Sequence, residues 1–329
     1  MKHVLKGALA GAALLTTLAG GAAQAQTYNL TLCGASPGGL WSLLGAGVDA
    51  AVKEAFPGST VTYQTSGGGL ANVALLDQSK CDLAIIHDAE AKAALGGLEP
   101  FQGKIDSMAT VAQLYSWAPM QAIVNADYAE ENGLTKLEDI AEKKLPITVV
   151  LNRRGNIVSS IGEEMLNAIG ASPEQIEEWG GSVEYAASSE QGDLMRDRRV
   201  DMLLNSLFVN HSSIRELASS IDVKLLPITD ETAQKVIDEW DIQRYTIPAD
   251  AYDWADEDTL TLTVSAQLFA RKDADPQMVK DITQALVDNV DKLQGVHKAM
   301  APLDVELMKG ATTVPYHPEA QKVYDATGS

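Results

Sequence analysis

The chain has 329 residues, 25 Lys+Arg against 45 Asp+Glu, a formal charge of −20, and a composition that is 46% hydrophobic but only 5% aromatic. At roughly 150 residues per domain this is a soluble globular chain of two domains, each long enough to bury a core without disulfide or metal staples. Such acidity repels phosphate backbones and anionic lipid, which argues against nucleic-acid binding and peripheral membrane attachment.

Residues 1–25 carry Lys2 and Lys6, an apolar stretch from Gly7 to Gly20, and the small-x-small tripeptide Ala23-Gln24-Ala25. This reads as a secretory signal peptide cleaved after Ala25. The alternative, an uncleaved anchor, fits less well because the apolar stretch falls short of the ~20 residues a spanning helix needs. No lipobox cysteine follows and no later segment is apolar enough to span, so a free periplasmic product is expected.

From Tyr28 onward, short apolar runs bounded by Gly or Pro alternate with helical patterns, as buried parallel strands and their crossovers do. Strands are predicted at 28–33, 60–65, 82–87 and 109–125, the last broken near Pro119, with helices at 40–55, 70–79 and 89–95. A second series places strands at 147–152, 183–187 and 201–207 around helices at 157–169 and 189–198. Helices near 211–219, 229–240, 276–291 and 318–325 and a β-rich run at 259–271 complete the chain. The expected fold class is α/β: two α/β lobes sharing a hinge, with a ligand cleft beyond the carboxyl ends of their strands. Crossing strands at 109–125 and about 222–228 would join them, giving lobe I as 26–117 and 227–329 and lobe II as 118–226.

The loops at the strand ends carry the candidate site. Gly34-Ala35-Ser36-Pro37-Gly38-Gly39 opens the helix at 40, followed by Trp41, and Ser66-Gly67-Gly68-Gly69 opens the next, with Asn72 in its first turn. Gly-rich loops entering helices aim N–H groups and the positive dipole end at a bound group; the simpler alternative is turns that need Gly for backbone reasons. In the second series, Asn152-Arg153-Arg154-Gly155-Asn156 puts two arginines at a helix start, where they oppose the dipole. An anion across the cleft would account for them, as would solvation or pairing with Glu163 or Glu164. His87, ending the strand at 82–87, is expected as a pocket wall or as a cap on the following helix.

Gly34-Ala35-Ser36-Pro37-Gly38 also matches the G-x-S-x-G nucleophile elbow, with His87, His211, His297 and His317 as available bases. The residue after the serine should donate an N–H to the oxyanion hole, and Pro37 has none, so hydrolysis is the remote reading. Neither H-E-x-x-H nor clustered Cys/His spacing appears, and no metal or cofactor is expected. Cys33 ends the first strand and Cys81 precedes the third, so in parallel neighbours they would lie about five residues or ~16 Å apart at 3.3 Å per residue. Free thiols are therefore expected, since bridged Cα atoms lie within ~7 Å.

The runs CGASPGGLWSLLGAGVDAAV, TSGGGLANVALL and CDLAIIHDAEAKAAL, with VDMLLNSLF, IPADAY and PYHPEA further on, resemble the TAXI subfamily of solute receptors for tripartite ATP-independent periplasmic (TRAP) transporters over about 28–325. The resemblance implies a type II periplasmic-binding-protein fold, no catalysis, small carboxylate ligands such as glutamate or other dicarboxylates, and delivery to a membrane permease. A sensor presenting its solute to a histidine kinase is the alternative. Where that subfamily has a polar G-S-G-T turn, this chain reads Gly155-Asn156-Ile157-Val158; His87 and Asp88 replace Gln-Ser, and Gly69 replaces a Ser. The candidate ligand-binding set is Ser36, Gly38, Gly39, Trp41, Ser66, Gly67, Gly68, Asn72, His87, Arg153, Arg154, Asn156, Ser206 and Phe208, in a monomer.

Overall fold

The computed structural model describes Met1 and residues 26–35, 39–240 and 242–327. The expected signal peptide beyond Met1, the elbow residues Ser36 and Pro37, and Gly38 lie outside the described residues.

Ten strands form one curled sheet: β1 (Asn29–Cys33), β2 (Thr60–Gln64), β3 (Leu83–His87), β4 (Met108–Asn125), β5 (Thr148–Leu151), β6 (Ser182–Tyr185), β7 (Met202–Ser206), β8 (Val223–Leu225), β9 (Gln243–Ile247) and β10 (Thr259–Arg271). The helices of the first half are α1 (Leu40–Ala55), α2 (Gly69–Asp77), α3 (Asp88–Gly96), α4 (Ala126–Asn132), α5 (Asp139–Lys143), α6 (Ile157–Ala168) and α7 (Pro173–Glu178). After them come α8 (Ser188–Arg196), α9 (Ser212–Ala218), α10 (Asp230–Trp240), α11 (Pro276–Asp288), α12 (Val290–Gln294), α13 (Val305–Met308) and α14 (Pro318–Thr327). None of the described helices is long and apolar enough to cross a membrane.

The strand order is β2-β1-β3-β10-β4-β7-β5-β6, with β8 beside β4 and β9 beside β10. Its logic is a repeated unit. The triplets β2-β1-β3 and β7-β5-β6 are each parallel, and each is closed on its inner edge by an antiparallel strand, β10 against β3 and β4 against β7. Burial follows position: every residue of β3 is buried between its neighbours, whereas the outer strand β2 is mostly exposed or half-buried.

β4 is a single strand of 18 residues, and Pro119 interrupts its pairing, not its course. Residues 108–119 pair with β10; from Met120 the partner is β7, with Met120 opposite Ser206. Proline has no N–H for a ladder, so it suits the point at which one partner ends and the next begins. Three register shifts in β10, between Val264 and Phe269, accompany the exchange.

The return crossing is carried by β10 and not by 222–228. β8, inside that segment, pairs with β4 beyond Ile123, and the chain then stays on the same side. Helix α10 packs on α6, and Ile247 and Tyr252 join a core with Val150, Leu203 and Leu217. The apolar rhythm of DVKLLPI marks a strand there correctly but carries no information about direction. Past β10, helices α11 and α12 pack on α1, whose buried stripe of Leu44, Val48, Ala51 and Val52 has helical spacing.

The cysteines, expected free, are bonded: Cys33 pairs with Cys81, Cα atoms 5.9 Å apart across a separation of 48 residues. Two assumptions behind the expectation fail. β3 is shifted along β1, with Leu32 opposite Leu83 and Cys33 opposite Ala84. Cys81 also lies ahead of the strand, two residues after the left-handed Ser79 (φ 56), where an extended rise does not apply. Mass spectrometry under non-reducing conditions is expected to find one bridge, and the paired change Cys33→Ala with Cys81→Ala to lower unfolding stability by ~2–4 kcal/mol in urea titrations.

Candidate functional site

All six parallel strands end at one cleft of about 520 Å³. From the first triplet it receives Ala35, Gly39, Leu40 and Trp41 after β1, Ser66 and Gly67 after β2, and His87 at the end of β3. The second triplet contributes Asn152, Arg153, Arg154 and Asn156 after β5, Ala187, Ser188 and Ser189 after β6, and Ser206, Phe208 and His211 at and after β7. Tyr115 and Ala118 of β4 lie between them. Of the expected residues, Gly39, Trp41, Ser66, Gly67, His87, Arg153, Arg154, Asn156, Ser206 and Phe208 line the cleft. Ser36 and Gly38 fall outside the described residues, and Gly68 and Asn72 are not in the lining.

Asn72 instead holds the lining in place. Fully buried, its Nδ2 donates to the carbonyls of Gly34 (2.9 Å) and Ile85 (2.8 Å), while its Oδ1 accepts from the Ser66 hydroxyl (2.6 Å). One side chain thus ties the ends of all three strands of its triplet. Asn205 of β7 does the same for the other: Oδ1 accepts from Asn152 (3.0 Å), and Nδ2 donates to Ser188 Oγ (3.0 Å) and Gln191 Oε1 (2.9 Å). Both pins are 0% exposed, so removing either leaves several buried partners unpaired.

Below the cleft runs a chain of hydrogen bonds. Trp41 Nε1 donates to the Tyr115 oxygen (3.0 Å), the Tyr115 hydroxyl lies 3.3 Å from His87 Nε2, and His87 Nδ1 lies 3.2 Å from Glu90 Oε2. With Trp41 as donor, the tyrosine proton points to Nε2 and the histidine proton sits on Nδ1, facing the carboxylate. Burial holds the Tyr115 phenol well above its usual range. Glu90 also accepts from the His87 backbone N–H (2.9 Å), so His87 caps α3 with its backbone while its ring faces the cleft: both sequence readings hold. Gly69 is required against this carboxylate, since a Cβ there would overlap Glu90, and Gly68 has φ +107, a conformation side chains resist.

On the opposite wall the arginines are well exposed, Arg153 at 59% and Arg154 at 72%. Arg154 lies over the Tyr185 ring, 3.7 Å from its centroid, and 4.0 Å from Glu163, the carboxylate that accepts from the Tyr185 hydroxyl. Arg153 is 3.7 Å from Glu190. The alternative of local pairing is therefore partly realised, with Glu163 for Arg154 and Glu190 for Arg153, but exposed pairs of this length contribute ~0–1 kcal/mol and leave both forks able to turn to a guest. His211 accepts the Ser213 N–H at Nδ1 (3.3 Å), which places its proton on Nε2. Burial, then His297 and Arg215, hold its pKa below the usual value. The first turns of α1, α6 and α8 all open here, adding three positive dipole ends.

Tyr115, Asn152, Ser188, Ser189 and His211 line the cleft but stand outside the expected ligand-binding set. Asn152 and Ser188 had a signal, since the first ends a predicted strand and the second directly follows one. Tyr115 had none, lying mid-strand in an almost uniformly buried run. Among the described residues no group of three His, Cys, Asp or Glu side chains is placed to hold a metal ion.

Two stability tests follow from this geometry. Asn72→Ala and Asn205→Ala are each expected to cost about 2–4 kcal/mol in denaturant titrations. Asp88 is buried behind His87, and burial raises its carboxyl from 3.8 to about 6 despite the lowering influence of His87 and the Ala89 N–H. The folded chain binds this proton more tightly than the unfolded one, so the group's contribution is fully present below about pH 4, falls as pH rises through about 6, and is level above that. Asp88→Asn should accordingly be more stable than the parent above about pH 7, by on the order of 3 kcal/mol, with the gain vanishing near pH 4.

The sequence profile of the NMT1-like family matches residues 32–328. Solved structures of the same fold include the periplasmic binding protein BugD, at 14% identity and TM-score 0.56, covering 92% of this chain and 93% of that one. MatC from Rhodopseudomonas palustris, with bound malate, aligns at 12% identity and TM-score 0.54 over 83% and 88% of the two chains. PhnD1 from Prochlorococcus marinus, in complex with methylphosphonate, aligns at 11% and 0.54 over 91% and 97%. The architecture is therefore that of the two-lobed periplasmic binding proteins.

Proposed function

The chain belongs to the NMT1-like family, and we propose that it is a periplasmic receptor that captures a small carboxylate-bearing solute between two lobes and delivers it to a TRAP-type permease. The observation that carries this reading is the convergence of three helix N-termini and the guanidinium groups of Arg153 and Arg154 on one cleft. In a chain of net charge −20 that is a local reversal of sign, and it suits an anion. Proteins of this fold hold malate and methylphosphonate, both anions, which supports the same ligand class here. The TRAP partner rests on the TAXI resemblance, and export on residues 1–25. We place lobe I at 26–117 and from about 259 onward, and lobe II at 118 to about 258, because α10 and β9 pack with the second triplet. This moves the second boundary from 226.

Thermal-shift screening of carboxylates, amino acids and neutral solutes is expected to single out carboxylates. A ligand at a hundred times its Kd stabilises the fold by about 2.7 kcal/mol, a shift readily seen. Titrating the hit into Arg153→Ala and Arg154→Ala should show a loss of about tenfold to a hundredfold in at least one, the worth of a charge-assisted bond. Stabilisation by uncharged solutes alone, or losses under twofold in both variants, would rule the anion reading out.

A further inference from the structure

We propose that the solute is a carboxylate with a flat apolar body, an aromatic monocarboxylate; this rests on the anion-receptor reading of the same cleft. The lining falls into two chemically unlike groups. One is apolar: Trp41, Tyr115 and Phe208, with Leu40, Val158 and Leu207. Their rings interlock: Tyr115 and Phe208 meet edge to face at 5.1 Å, and Trp41 lies 4.7 Å from the His87 ring.

The polar side-chain atoms next to these rings are already engaged within the protein. Trp41 Nε1 donates to Tyr115, Tyr115 to His87, and His87 to Glu90. Ser206 Oγ donates to the Ala118 carbonyl (2.8 Å), and Ser66 Oγ to Asn72. A hydroxyl or ammonium of a guest pressed against these rings would lose water and gain no partner, a penalty that discriminates strongly. A ring face would lose nothing and would gain aromatic contacts.

An α-ammonium needs an acceptor, and Glu216, which is exposed, is the one carboxylate in the described lining. Glu90 lies beneath His87, Asp88 is buried and accepts from the Ala89 N–H, and Glu163 and Glu190 face the arginines. The other group consists of side-chain donors: the guanidinium groups of Arg153 and Arg154, the Asn156 amide, and His211 Nε2. That separation fits a guest with one anionic end and an apolar remainder.

The test compares phenylacetate and benzoate with glutamate, malate and uncharged benzyl alcohol by calorimetry and Trp fluorescence on the mature chain. Phenylacetate or benzoate is expected to bind at least tenfold more tightly than glutamate or malate, and benzyl alcohol far more weakly. Phe208→Leu, which keeps an apolar side chain at the position, should weaken the aromatic carboxylate about tenfold while the free protein still unfolds cooperatively, its melting temperature lowered by about a few degrees. Glutamate or malate binding more tightly than both aromatic acids would overturn this inference and leave the receptor reading intact. Benzyl alcohol binding as well as phenylacetate would overturn the anion reading along with it. Failure of both aromatic acids to bind at millimolar concentration would overturn the inference alone if another carboxylate binds.

Discussion

The position of every group in the cleft depends on two antiparallel strands, β4 and β10, that run side by side through the middle of the sheet. Each closes one parallel triplet, and at Pro119 β4 changes partner from β10 to β7. Thr261 and Thr263 of β10 donate to the Met120 and Ser116 carbonyls around that point, so the change of partner leaves these acceptors paired. A sheet that passes from one triplet to the other through a shared pair of strands brings six strand ends to face one space, which is where open parallel sheets bind their ligands.

Within that frame the two halves solve the same problem the same way. A parallel triplet presents three loops at its carboxyl end, and loops carry backbone groups that no strand or helix satisfies. Asn72 and Asn205 each supply one acceptor and two donors at the centre of such a trio. The difference lies in what the loops present. The first triplet offers glycines, Trp41 and His87; the second offers arginines, serines, Phe208 and His211, with Tyr115 of β4 between them. The aromatic surface is therefore assembled from both halves, whereas the guanidinium groups come from the second alone.

Much of this was legible in the chain itself. The helix predicted at 40–55 and the strand run at 259–271 coincide with α1 and β10, because a 16-residue helical apolar stripe and a polar–apolar alternation running from Thr259 to Leu268 allow little else. The strand-end loops were legible for the same reason that they are structured: Gly and Asn mark places where the backbone turns tightly. What stayed hidden depends on register and direction, which apolar rhythm does not encode. The Cys33–Cys81 bridge turns on a shift of β3 along β1. Tyr115 enters the cleft from mid-strand in a buried run. Asn205 sits in MLLNS, where a polar residue near the end of an apolar strand gives no hint that three polar side chains from two separate segments converge on it.

Gly68 lies across the cleft mouth from Asn156: a Cβ built on it would stand 3.8 Å from the asparagine Nδ2, ordinary van der Waals contact. Bare backbone on one rim therefore meets a side chain on the other with no slack for anything larger. How far the mouth can shut at this point is set by an atom that is missing, and any longer side chain at position 68 would act as a wedge, holding the rims apart while leaving the interior of the cleft chemically unchanged.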